Sequence, residues 1–431
     1  MKVLVLVLAG GQGRHLGVLV AKRAKPALVF AGKYRLVDFV LSNCANSGLH
    51  DVGVLIQYRS RSLTDHLGSG NPWDLDRRWS GGLTLLPPFG RGGKPVEWYR
   101  GTADALAQNL DFVLKNAPDV VLVLAGDCAY KMNYQSLLEY HLAHAADVTI
   151  ASIKVPAYRA QRLGMLNSDP DGRLQSFGED HRGASAALAS MGVYAFRTEA
   201  LVRGLRQEAP RDIYRHLLSS MLARGDHLIT FPFEGYWADM ETVAAYWRAS
   251  MELLREDAPL GLLDPEWPIR TRGARRPPVS LRPGASVSSS LISDGCTIEG
   301  RVEGSVLSPG VHVIRGAVVR DSVVLDDATI GPQATVERAI LDKNVVVGER
   351  VHIGVRGLRA SDARFALRAG NGIAVIGKNT HLPDGYRVTR GEMIGCDLDV
   401  ECFEAPQVTG VRRNESRAPV QGHAAWVQAN R

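Results

Sequence analysis

Cysteine is scarce in this sequence of 431 residues: Cys44, Cys128, Cys296, Cys396 and Cys402 are odd in number and none stands in a C-x-x-C spacing. The pattern argues against a disulfide framework and a zinc site and fits a reducing compartment, the cytoplasm. Long hydrophobic runs are missing too. Nothing approaches the ~20 apolar residues that a helical membrane span requires. The short apolar run from Val3 to Ala9 leads straight into Gly10 and Gly11, which reads as a buried parallel strand rather than a signal peptide. Neither sign of charge dominates. The formal net charge is +6, but no basic stretch is interleaved with aromatics, so no nucleic-acid partner is expected. The local cluster Lys22, Arg23, Lys25, Lys33 and Arg35 suits a small polyphosphate, or a solvated face.

What is present divides the chain. From residue 1 to 255, apolar runs such as VLVLVLA, VGVLI, VVLVLAG, VTIASI and LITFPF alternate with amphipathic segments, the pattern of an α/β domain with a mostly parallel sheet. One helix is expected after Thr102 as N-cap, with Ala103, Leu106, Ala107, Leu110, Val113 and Leu114 on one face. Residues 256–283 lose periodicity, carry several prolines and arginines, and read as a linker. From 284 to 390 a near-six-residue unit of β-branched residues, a polar pair and Gly or Asp-Gly recurs, which predicts a parallel β-helix. Residues 391–431 read as an unpatterned tail.

Four segments carry candidate chemistry. LAGGQG places Gly10, Gly11 and Gly13 directly after the first strand, where backbone amides can close around phosphates. Lys25, stiffened by Pro26, can act there as a point charge. Asp127 and Asp239 each follow an apolar strand run and precede a helix. Two readings of both are open: a carboxylate that holds Mg2+ together with substrate phosphates, or a helix N-cap. In EWYRGTADALAQNL, Trp98 and Tyr99 flank a base or form a core pair, and Gly101 and Thr102 present a helix start to an anion. Together these make a phosphoryl- or nucleotidyl-transfer site.

RAKPALVFAGKYRLVDFVLSNCANSG, IQYRSRSL, WYRGTADALAQNL, LAGDCAYKMNY, ASMGVYAF, GYWADMETVAAYW and WPIRT, in that order, resemble the bacterial glucose-1-phosphate adenylyltransferase (ADP-glucose pyrophosphorylase) family from residue 3 to about 355. The resemblance implies a Rossmann-like nucleotidyltransferase (GT-A-like) domain followed by a left-handed parallel β-helix, assembled as a homotetramer. It implies ATP and glucose 1-phosphate as substrates and Mg2+ as cofactor. It also implies Gln57 and Tyr99 near the adenine, Gly164, Glu179 and Ser190 near the sugar phosphate, Lys25 facing the phosphates, and Asp127 and Asp239 on the metal. Lys33 matches a position linked to activator binding.

Two departures from that pattern bear on catalysis. His15 stands where the family has arginine, and Asp180 stands where it has the sugar-phosphate lysine. Lesser changes are Val18, Val20, Cys128, Asn133 and Glu241. They leave open an active enzyme, one with altered sugar or base choice, or a weakened regulatory subunit in a hetero-oligomer with a catalytic paralogue.

Overall fold

The computed structural model describes residues 1–77, 81–89, 97–156, 163–178, 186–208, 210–356, 367–368 and 372–404. The apolar run after Lys2 forms the strand Val3–Leu8 at the centre of a nine-stranded sheet. Asp51–Leu55 and Val120–Ala125 flank it in parallel, and Gly82–Leu86 extends the parallel set. The long strand Ala186–Arg197 then joins antiparallel to Val120–Ala125. Continuous Val/Leu runs belong here because both faces of the sheet are covered: Leu4 and Leu6 enter one apolar core, Val5 and Val7 the other.

A separate two-stranded ribbon, Cys128–Tyr130 against Trp237–Asp239, leaves the carboxyl end of this sheet. The amphipathic segment after Gly101 differs from expectation. It forms two short helices, Thr102–Gln108 and Leu110–Asn116, broken at Asn109, whose side-chain amide donates to the Tyr99 hydroxyl and the Ala105 carbonyl. Leu114, expected on the buried face, is exposed in consequence.

The C-terminal half is a three-sided parallel β-helix of the left-handed, hexapeptide-repeat kind. Its strands stack in three sheets. Along one side Val306 pairs with Val323 and Val323 with Ile340, a step of 17 residues per rung, close to three six-residue units. Interior aliphatics such as Val302, Val319 and Val336 are fully buried. Corners fall on left-handed residues, among them Asp321, Asp327 and Asn344, types whose short polar side chains tolerate that backbone.

Both expected boundaries of this half need correction. The first rung begins at Ser280–Leu281, inside the expected linker, and Glu392–Ile394, inside the expected tail, still pairs in parallel with Ala374–Ile376. The "linker" is a strap on the first domain. Trp267 donates its indole N–H to Asn43, the Arg270 amide donates to Ser42, and the Arg270 carbonyl accepts from Trp73. One face of the β-helix closes a joint apolar core, with Val306, Ile340 and Met393 meeting Leu16, Phe30 and Tyr246.

Candidate active site

Lys25 opens a single 3-10 turn, Lys25–Ala27, after extended Ala24, with Pro26 holding the bend. Its stem lies under the glycine loop. Gly13 has φ of 62°, and a Cβ there would stand 3.0 Å from Lys25 Cβ, so both backbone hand and space require glycine. A Cβ on Gly10 would stand 3.2 Å from Gln57 Cβ, while Gly11 faces open space.

Asp127 follows the strand Val120–Ala125 through Gly126, whose amide donates to the Leu8 carbonyl over 3.0 Å. In the ribbon Cys128 is the register partner of Asp239, which brings the two aspartates side by side. Lys25 Nζ lies 3.0 Å from Asp127 Oδ2, 3.7 Å from Asp239 Oδ1 and 4.0 Å from Glu241 Oε1. Burial alone would lower the Lys25 pKa, but the charges of Asp127 and Asp239 outweigh it and hold the ammonium above the ordinary lysine value.

The capping alternative is decided locally. The helix Tyr134–Ala143 is capped by Asn133, which accepts from the Gln135 amide, and the helix Val243–Glu252 by Thr242, which accepts from the Ala245 amide. Neither helix uses Asp127 or Asp239 as its cap. The residues present therefore fit a divalent cation: two carboxylates converge at the carboxyl end of the sheet beside the glycine loop. Among the described residues no group of three or more His, Cys, Asp or Glu forms a cage, so an ion held here would complete its shell with substrate oxygens and water.

Gln57 and Tyr99 come together. The Gln57 amide donates to the Tyr99 carbonyl over 3.2 Å, and its oxygen accepts the Tyr99 amide over 2.5 Å. The Tyr99 ring, however, is part of the core, its hydroxyl donating to the Leu86 carbonyl, whereas Trp98 is exposed. A base-flanking pair of rings is thus not formed.

At the expected anion site, Gly101 and Thr102, two of the helix-start amides already have a protein partner. The amides of Ala103 and Asp104 both donate to the Arg211 carbonyl. A Cβ on Gly101 would lie 2.2 Å from that oxygen, so glycine serves this close approach. The Thr102 hydroxyl accepts the Ile213 amide and donates to Asp212.

Gly164 and Ser190 are adjacent, the Ser190 amide donating to the Gly164 carbonyl over 2.8 Å. Glu179 and Asp180 lie outside the described residues. The half-exposed Lys33 ammonium lies 3.9 Å from Asp294 of the β-helix. His15 is exposed on the turn that follows the glycine loop, next to Arg14, which donates to Gln12.

Sequence reasoning noted Glu241 only as a departure and missed that it joins the aspartates around Lys25. Its position two residues after Asp239 in an extended stretch was the available signal, since alternate residues share a side. It also missed the partner of Arg23: Arg23 Nη2 lies 2.7 Å from Asp342 Oδ1 of the β-helix, both side chains being buried.

Residues 4–256 match the nucleotidyl transferase family, and residues 280–376 match the GlmU-like C-terminal hexapeptide family. Among curated relatives, the chain is 38% identical over 416 residues to a protein of Acetivibrio thermocellus, covering 95% of this chain and 97% of the relative. It is 44% identical to one of Thermomicrobium roseum, over 93% of this chain and 95% of the relative. A third, from Desulforamulus reducens, is 43% identical over 81% of this chain and 89% of the relative. All three relatives carry the name glucose-1-phosphate adenylyltransferase.

Proposed function

Because the chain belongs to the glucose-1-phosphate adenylyltransferase family, we propose that its N-terminal site joins ATP to α-D-glucose 1-phosphate, in the service of glycogen or α-glucan synthesis. A phosphate oxygen of the sugar phosphate attacks the α-phosphorus of ATP in line. The bond from that phosphorus to the bridging oxygen of the β-phosphate breaks, giving ADP-glucose and pyrophosphate. The nucleophile is already an anion at neutral pH, so no general base is needed and catalysis rests on positioning and charge.

The observation that carries this reading is the buried Lys25 ammonium between Asp127 and Asp239, beneath the glycine loop. Lys25 then neutralises charge on the phosphates. Asp127 and Asp239 would hold Mg2+, which supplies charge neutralisation on the transferring phosphoryl group. Gly10, Gly11 and Gly13 give room for the triphosphate, and Gln57, fixed by the Tyr99 backbone, is the polar contact for the base. Gly164 and Ser190, with Glu179 and Asp180, form the sugar-phosphate side. The homotetramer and an effector contact at Lys33 rest on the resemblance, and the cytoplasmic setting on the cysteine usage.

Purified protein with ATP, glucose 1-phosphate and Mg2+ is expected to release pyrophosphate. Absence of turnover across a panel of triphosphates and sugar 1-phosphates would favour a regulatory subunit instead. His15→Arg combined with Asp180→Lys restores two cations facing phosphates and is expected to raise the rate. Unchanged turnover in that double variant would mean that other groups have taken over both positions.

A further inference from the structure

We propose that Glu241 is a third anionic side chain of this site, one that acts on the divalent cation through space and strengthens its binding. The proposal rests on the assignment of Asp127 and Asp239 given above. Glu241 stands between the ribbon strand Trp237–Asp239 and the capping residue Thr242. Its Oε1 reaches within 4.0 Å of the same ammonium that Asp127 and Asp239 contact. Lys25 is 3% exposed and Glu241 47%, so the lysine sits at the floor and the glutamate at the mouth.

Three carboxylates around one ammonium leave two negative charges in excess, the charge of one divalent cation. An ion pair with Lys25 does not account for Glu241: at this distance and exposure such a pair contributes little, and Lys25 already has a 3.0 Å partner in Asp127. Direct coordination by all three does not account for it either, because among the described residues no such group is arranged as a cage. What remains is a field effect. A carboxylate at the rim of a partly desolvated cleft raises the local concentration of cations and is weakened by salt.

The test is Mn2+ binding to the full-length, ligand-free chain, followed by the electron paramagnetic resonance signal of free Mn2+ at low and high ionic strength. Glu241→Gln is expected to weaken binding about fivefold at low ionic strength and by much less at high, while Glu241→Asp, which keeps the charge, retains most of the affinity. Equal affinity of wild type and Glu241→Gln at low ionic strength, with Asp127→Asn still weak, would overturn the role of Glu241 and leave the two-aspartate site standing. If Asp127→Asn binds Mn2+ as wild type does, the assignment of the site fails and the proposal fails with it.

Discussion

Arg23 and Lys25 stand two residues apart, both 3% exposed, both paired with aspartate, and they do different work. The partner of Arg23 is Asp342, 1% exposed, on the β-helix. The partners of Lys25 are Asp127 and Asp239, 26% and 18% exposed, on the first domain. The first pair is sealed. Arg23 Nη1 and Asp342 Oδ2 are buried without hydrogen-bond partners, so neither charge has anywhere to go if the other is removed. The second pair opens on one side to solvent, so its carboxylates can exchange the ammonium for a cation or share it with a phosphate. Whether a buried cation serves architecture or chemistry is thus set by the exposure of its partner.

The largest expected effect tests the sealed pair. Asp342→Ala should cost about 3–5 kcal/mol of stability by leaving a buried guanidinium uncompensated, read as a shift of the denaturant midpoint. Arg23→Met with Asp342→Leu should recover most of that loss. A midpoint unmoved by Asp342→Ala would erase the distinction between the two pairs.

Next comes the open pair: Lys25→Met should lower kcat roughly 100-fold or more through loss of a preorganised charge. Its stability should fall by less than that of Asp342→Ala, because the carboxylates left behind reach water. Pyrophosphate release and denaturation on the same preparation check both halves.

A smaller effect concerns His141, at the opposite end of the sheet, whose Nδ1 meets the Thr149 hydroxyl at 2.8 Å. Burial, aided by the charge of Arg197, pushes its pKa down to about 4 from 6.5. The folded state therefore favours the neutral ring. Its contribution is fully present above the unfolded pKa and is lost as pH falls from 6.5 toward 4, on the order of 3 kcal/mol. Urea titrations across that window should show a shallower slope in His141→Gln than in wild type. This would place a pH-dependent loss away from both cation pairs.

The smallest expected effect is none. Lys25 is raised above 10.5, so its stabilising charge is complete below that value and is lost only as pH rises through the higher folded pKa. Between pH 6 and 9 a rate loss that disappears in Lys25→Arg would contradict this.

Much of the site was legible because its parts are local. A glycine loop after a buried strand, a lysine before proline, and aspartates at strand ends are each short-range patterns, and the structure brings all of them together. At the helix start after Gly101, the carbonyl that takes the Ala103 and Asp104 amides, that of Arg211, arrives from more than 100 residues away and was not visible in the sequence. Whether the Tyr99 ring flanks a base or joins the core was left open for the same reason. Its burial depends on Leu86 and Asn109, which periodicity does not reveal. The β-helix was visible through its repeat, whereas its ends were not. Ser280–Leu281 and Glu392–Ile394 keep the near-six spacing, six residues before Ser286 and five after Arg387, and pair like the others, but they lie beside the proline- and arginine-rich stretch and the polar tail that mask the repeat.

The sequence by itself determined two kinds of strand environment and the residue types that can face phosphate, since backbone propensity, burial pattern and glycine placement are properties of neighbours along the chain. Only the tertiary structure decided which charges meet. The pairing of Arg23 with Asp342, and the gathering of Asp127, Asp239 and Glu241 around Lys25, depend on contacts between segments far apart in the chain, and Coulomb interaction falls with distance in space, not in sequence.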